Sequence, residues 1–244
     1  MLGLLYKEFI AFKRALIFPF AIYLFFLGTM LILPICFPSS SSELLLPDMI
    51  SVTTVAMLFM ILNGMQGEMF KKDERRIWAN YAVSLPTSVV GQVKVKYYYF
   101  FIINSIALFV AQCNEWIIKA VDKESTGLGA SIAFMLFMLY LVIFAIDMPF
   151  TFRFGRAFGG YVKTVLMLVL IFIALLYGLF GDISMFLGED EIEVAIFKFL
   201  EMLFSNEAVA ISMGLGCWAT LGFYFLSYKL SCKLYIKGVD MYDQ

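Results

Sequence analysis

From residue 15 to residue 37 the chain carries no charged side chain. A helix of that length, rising about 1.5 Å per residue, crosses the roughly 30 Å of hydrocarbon in a bilayer. Apolar runs at about 49–67, 97–118, 128–146, 161–180 and 208–228 repeat the pattern. A spanning segment in lipid must satisfy its backbone polar groups internally, so each run is expected to be helical. The fold class that follows is an all-α membrane protein with six transmembrane helices in a single domain over 1–244. Composition agrees, since 62% hydrophobic residues, 15% charged residues and a mean hydropathy of +0.89 leave too much apolar surface for one soluble core.

The segments between the runs are punctuated by polar residues and proline. Pro38 and the serines at 39–42 end the first run, and Pro47 marks the return. Residues 1–14 place Leu2, Leu5, Phe9 and Phe12 at helical spacing, with Lys7, Glu8, Lys13 and Arg14 largely elsewhere. That pattern predicts an amphipathic helix lying at the headgroup level before the first span. It lacks the small-residue cleavage site of a signal peptide. Tyr97, Tyr98 and Tyr99 open the third span and suit a membrane interface.

Lysine and arginine accumulate on the cytoplasmic side of membrane proteins. With six spans, 15 of the 18 basic residues fall on one side, among them Lys71, Lys72, Arg75, Arg76, Lys94, Lys96, Arg153, Arg156 and Lys163. The other side keeps Lys119, Lys123 and Lys198. Both termini are therefore expected in the cytoplasm. A net charge of -1 suggests no nucleic-acid partner, and the absence of histidine removes the usual general base and the commonest metal ligand. Neither catalysis nor metal binding is expected.

On this topology residues 69–88, MFKKDERRIWANYAVSLPTS, form the long polar stretch between the second and third spans, on the cytoplasmic side. Read as a helix, the stretch places Phe70, Ile77, Trp78 and Tyr81 near one face and Lys71, Lys72, Arg75 and Asn80 around the other. Ser84 reads as an N-cap, with Pro86 in the first turn of the next helix. Such a segment is either a stiff lever that receives force from a soluble partner or an interfacial helix that joins two spans.

Glu68, Asp73, Glu74, Trp78, Tyr81, Ser84-Leu85-Pro86 and Lys96-Tyr97 resemble the signature of small ABC-2 type transporter permeases. So does MPFTFRFGRAFGGYVK, with Pro149, Phe150, Phe154-Gly155 and Lys163, between the fourth and fifth spans. The likeness extends to the membrane subunits of phenol-soluble modulin and bacitracin-type exporters. It implies a multi-pass permease of a bacterial plasma membrane that pairs with a second membrane subunit and with a separate ABC ATPase. It also implies that the loop after the second span is the coupling helix. By position, Asp73, Arg76, Trp78 and Tyr81 are then the docking residues, flanked by Ile77, with Glu68 and the Ser84-Leu85-Pro86 corner holding the geometry.

ATP and magnesium are expected in that partner, and no cofactor in this chain. The nearest phosphate-loop lookalike, GRAFGGYVKT at 155–164, has two extra residues before its Lys-Thr pair and follows a membrane helix rather than a strand. Gly155 and Gly159 make a GxxxG match, but outside an apolar span. The acidic stretch 181–207 contains Ile192, Ala195, Ile196, Phe199, Leu200 and Leu203 at helical spacing. It predicts a short external helix between the fifth and sixth spans. Its acidic rim either draws cationic cargo outward or simply solubilises the loop.

Polar residues inside the spans are expensive, and the candidates for a translocation path are Asn63, Gln66, Asn104, Gln112 and Asp147. The competing reading makes each a helix-to-helix hydrogen bond, with Asp147 paired to Arg153 or Arg156. Cys36, Cys113, Cys217 and Cys232 show no metal spacing. A lining rich in Phe and Met suits amphipathic peptides or lipid-like cargo better than hydrated ions. A secondary transporter is disfavoured because no internal repeat or interrupted helix is evident. A non-transporting sensor or an immunity protein remains the alternative to an exporter.

Overall fold

The computed structural model describes residues 2–36, 46–64, 88–121, 128–180 and 207–239. Within them every residue except Gly155 is helical. The elements are α1 (Leu2–Cys36), α2 (Leu46–Gly64), α3 (Ser88–Val121), α4 (Leu128–Phe154), α5 (Arg156–Phe180) and α6 (Glu207–Val239). Two segments, Val90–Ile117 in α3 and Gly129–Phe154 in α4, are long and apolar enough to cross a membrane. The expected external helix lies outside the described residues, as does the expected coupling helix up to residue 87.

α4 is the hub, packing against α2, α3, α5 and α6, while α1 covers α2 and α3. Small side chains permit the close approach. Ala107 and Ala111 of α3 and Ala133 of α4 are completely buried, as expected where helix association rests on van der Waals contact rather than on escape from water. Aromatic rings fill the wider gaps. Phe100 of α3 stacks on Phe144 of α4 at 3.7 Å between ring centroids, and Phe59 of α2 lies parallel to Tyr140 of α4 at 6.2 Å.

Three expectations are corrected. The N-terminal segment is not a separate interfacial helix, because α1 is continuous from Leu2 to Cys36. Leu5 and Phe9 do pack on the core, but Glu8 is buried beside them rather than turned to the polar face. The tyrosine cluster does not turn outward as a set. Successive helical residues point about 100° apart, so Tyr97 and Tyr99 are buried in different directions while Tyr98 is exposed beneath the Lys94 ammonium.

The third correction concerns the join between α4 and α5, expected to be a loop from Asp147 to 160. Helix continues on both sides, and the connection is Gly155 alone, at φ 87°. Glycine suits this left-handed conformation, which costs other residues about 1–2 kcal/mol. Its N–H still donates to Thr151 O at 3.0 Å, closing the last turn of α4.

Pro149 sits inside α4 without ending it. Its nitrogen has no hydrogen, so the Ala145 carbonyl four residues earlier loses its helical donor. Ser227 of α6 donates to that carbonyl instead, Oγ to O at 2.5 Å. The helix therefore continues because a neighbour supplies the missing donor.

Candidate functional site

Among the described residues, buried polar side chains gather at junctions between helices. At the α3–α4–α6 junction the direction of each hydrogen bond follows from proton counting. The single Ser227 hydroxyl proton goes to Ala145 O, so the 2.7 Å contact between Ser227 and Tyr97 must be donated by Tyr97. Tyr97 then has no proton left, and Ser231 must donate across the 2.8 Å contact between them. A one-way chain results, from Ser231 through Tyr97 and Ser227 to the carbonyl freed by Pro149. Tyr224 adds a bond to the Tyr97 carbonyl at 2.8 Å.

α2 and α3 are joined by Asn63 and Asn104, both almost completely buried. Asn63 Nδ2 donates to Asn104 Oδ1 at 3.3 Å and to Phe59 O of its own helix at 2.7 Å. Gln112 lies elsewhere, donating to Ala130 O of α4 at 3.4 Å. Near the start of α4, Asn114 donates to Ser51 of α2 and Ser51 donates to Glu115 at 2.7 Å. Gly129 lies against them, and a Cβ there would force Glu115 Oε1 and Ser51 Oγ to shift. This carboxylate therefore lies against the first turn of α4, where unpaired N–H groups favour negative charge.

Glu8 of α1 occupies a different environment. Its carboxylate lies 3.4 Å from Lys7 Nζ and 4.0 Å from Lys96 Nζ of α3. Phe9 packs edge-on against Tyr99 beside it. Farther along α1, Tyr23 donates to Val110 O of α3 at 3.4 Å.

Asp147 was expected to pair with Arg153 or Arg156. The Arg156 side chain lies outside the described residues; the structure puts Lys163 of α5 in the field of Asp147 and gives its Oδ1 a hydrogen bond from Thr151 Oγ1 at 3.0 Å. Arg153 is exposed, stacked over the Phe154 ring. Lys163 also donates to Asn63 O, in the last turn of α2, at 3.1 Å. A cation is favourable there because the final carbonyls of a helix lack intrahelical donors and carry partial negative charge.

Two further features bear on ligands. An apolar groove of about 570 Å³ runs between α1 and α2, lined by Phe18, Ile22, Phe25, Phe26, Met57 and Ile61. Among the described residues no group of three His, Cys, Asp or Glu side chains gathers as a metal site would require.

Residues 3–236, nearly the whole chain, match the family described as ABC-2 family transporter protein. The chain belongs to that family. No curated protein and no solved structure matches it.

Within this ABC-2 transporter protein, three of the four described path residues, Asn63, Asn104 and Asp147, are linked around Lys163, and the fourth is separate. Asn63 meets Asn104, Lys163 bridges Asp147 and the Asn63 carbonyl, and Gln112 stands apart. Gln66 and the coupling candidates Glu68, Asp73, Arg76, Ile77, Trp78, Tyr81, Ser84, Leu85 and Pro86 lie outside the described residues. The residues that reasoning from the sequence missed are Glu8, Ser51, Asn114, Glu115 and the Tyr97–Ser227–Ser231 chain. Part of that signal was present. Val93, Tyr97, Phe100, Asn104, Ala107, Ala111 and Asn114 recur every three or four residues, and all are buried. Extending that stripe to Glu115 would have marked it as an inward carboxylate.

Proposed function

We propose that this chain is the membrane-spanning permease subunit of an ATP-driven exporter, with ATP and magnesium bound and hydrolysed on a separate ABC ATPase subunit. Membership of the ABC-2 transporter family over residues 3–236 carries the proposal. The chain itself is not an enzyme and needs no cofactor. Both termini and residues 65–87 face the cytoplasm, where the segment carrying Asp73, Arg76, Trp78 and Tyr81 docks on the ATPase. Force applied there enters the bundle through the end of α2 and the start of α3, which flank that segment in sequence.

A second membrane subunit completes the pathway. The cargo is amphipathic, a peptide or a lipid-like molecule. This is supported by the wholly apolar groove between α1 and α2 and by helices whose polar groups are turned into helix junctions.

Co-expression with the neighbouring ABC ATPase and purification through a tag on this chain tests the proposal. Wild type is expected to retain the ATPase, and Trp78→Ala combined with Arg76→Glu is expected to release it while remaining folded. Failure of the wild type to bind any ATPase would sink the exporter reading in favour of a sensor or immunity protein.

A further inference from the structure

Asp147 and Lys163 are placed symmetrically about the one-residue joint between α4 and α5. Asp147 lies eight residues before Gly155 and Lys163 eight residues after it, about 12 Å along each helix. Residues that far along two separate arms feel each other's charge only when α5 folds back on α4, as it does here. Phe150 and Phe154 pack against Phe158 across the elbow. Gly155 itself holds a positive φ of 87°. The joint is thus a hinge closed by rings near its pivot and by opposite charges two turns farther out.

The same ammonium reaches a third helix. Lys163 Nζ donates to Asn63 O at 3.1 Å, one residue before α2 ends at Gly64. Beyond that end the chain enters residues 65–87, the stretch assigned above to the ATPase. Asn63 is also held by its side chain to Asn104 of α3. A displacement of the end of α2 therefore has two routes inward, one to α3 through Asn63 Nδ2 and one to α5 through Lys163. The first leads into the densely bonded α3–α4–α6 body. The second leads to a helix with an exposed apolar face of Tyr161, Val165, Leu168, Phe172 and Ile173, hinged to α4 at one glycine.

We propose that Lys163 is the positioning residue that couples the end of α2 to α5, so that a pull on α2 swings α5 about Gly155. This rests on the exporter reading and adds to it the helix that moves and the residue that moves it. Asp147 completes the device by keeping the ammonium directed into the elbow.

The test uses the co-purified complex with its ATPase, in nanodiscs, with the four native cysteines replaced. Nitroxide labels are placed on the exposed residues Val165 of α5, Leu226 of α6 and Met60 of α2. Pulsed electron resonance then gives the Val165–Leu226 and Val165–Met60 distances, nucleotide-free and trapped with ATP and vanadate. In the wild type the Val165–Leu226 distance is expected to shift on trapping, with Val165–Met60 nearly constant. Lys163→Met is expected to keep the ATPase bound, lose the first shift and broaden the second distribution. Lys163→Arg, which preserves charge and reach, is expected to restore both. If Lys163→Met does not fold, Lys163→Gln serves, because it removes the charge and retains a donor. An α5 that moves equally in wild type and in the uncharged variant overturns the coupling role alone, as does a wild-type α5 that does not move. A wild type that binds no ATPase overturns the exporter reading and this inference with it.

Discussion

α6 and α5 both pack on α4, yet they are held in different ways. α6 is fixed by a directed series of hydrogen bonds ending on a carbonyl that has no other helical donor, because Pro149 removed it. α5 is tied to α4 by aromatic contact beside one glycine and by the attraction between Lys163 and Asp147. The first arrangement tolerates little displacement, since hydrogen bonds weaken steeply with angle and the freed carbonyl cannot turn to water within the bundle. Charge attraction declines slowly with distance, so the second can stretch and recover. Similar apolar helices thus become a fixed wall and a hinged one through a few polar atoms.

The sharpest way to break this contrast is to remove the donor that α6 supplies. Ser227→Ala is expected to destabilise the protein by about 2 kcal/mol, because the Ala145 carbonyl is left without a partner. In a Pro149→Ala background the helix regains its own N–H donor, and the cost of Ser227→Ala is expected to fall below about 1 kcal/mol. Equilibrium unfolding in mixed micelles of the four proteins measures this coupling. Equal costs in both backgrounds would mean that Pro149 does not set the value of the Ser227 bond.

A smaller effect is expected at the hinge. Gly155→Ala must hold a side chain at φ 87° and is expected to cost about 1 kcal/mol in the same assay. A change within error would show that the joint can relax to an ordinary conformation, weakening the contrast from the α5 side. The smallest effect is expected for Tyr97→Phe, which removes the hydroxyl between Ser227 and Ser231 but leaves both serines able to pair with each other or with nearby carbonyls. A loss of about 0.6 kcal/mol is expected, the typical value for one hydrogen bond between membrane helices. A loss near that of Ser227→Ala would mean that the three hydroxyls act as one cooperative unit.

Much of the architecture was legible residue by residue. The uncharged run as far as residue 36 and the apolar run at 128–146 fall within α1 and α4, because hydropathy accumulates along a local window. The 4–5 connection was misjudged for a local reason. Pro149 and the glycines beyond it are breakers by rule, and nothing nearby in the chain reveals that a serine on another helix cancels the break. Glu8 was misplaced because the 1–14 segment was read alone, before Lys96 of α3 could be seen beside it. Lys163 was visible as one charge in the topology count and as part of a resemblance, but not as a contact to α2.

The sequence by itself determined the class of molecule, a helical membrane protein of the ABC-2 family, because apolar length and family pattern are written in consecutive residues. Only the tertiary structure decided which polar atoms meet. Ser227 finds a carbonyl 82 positions away and Lys163 finds one 100 positions away. Those pairings depend on how far each helix is rotated about its own axis and which neighbour it faces. Apolar packing against several alternative neighbours gives nearly the same energy. The few buried hydrogen bonds and charges, which tolerate only one arrangement, make the choice.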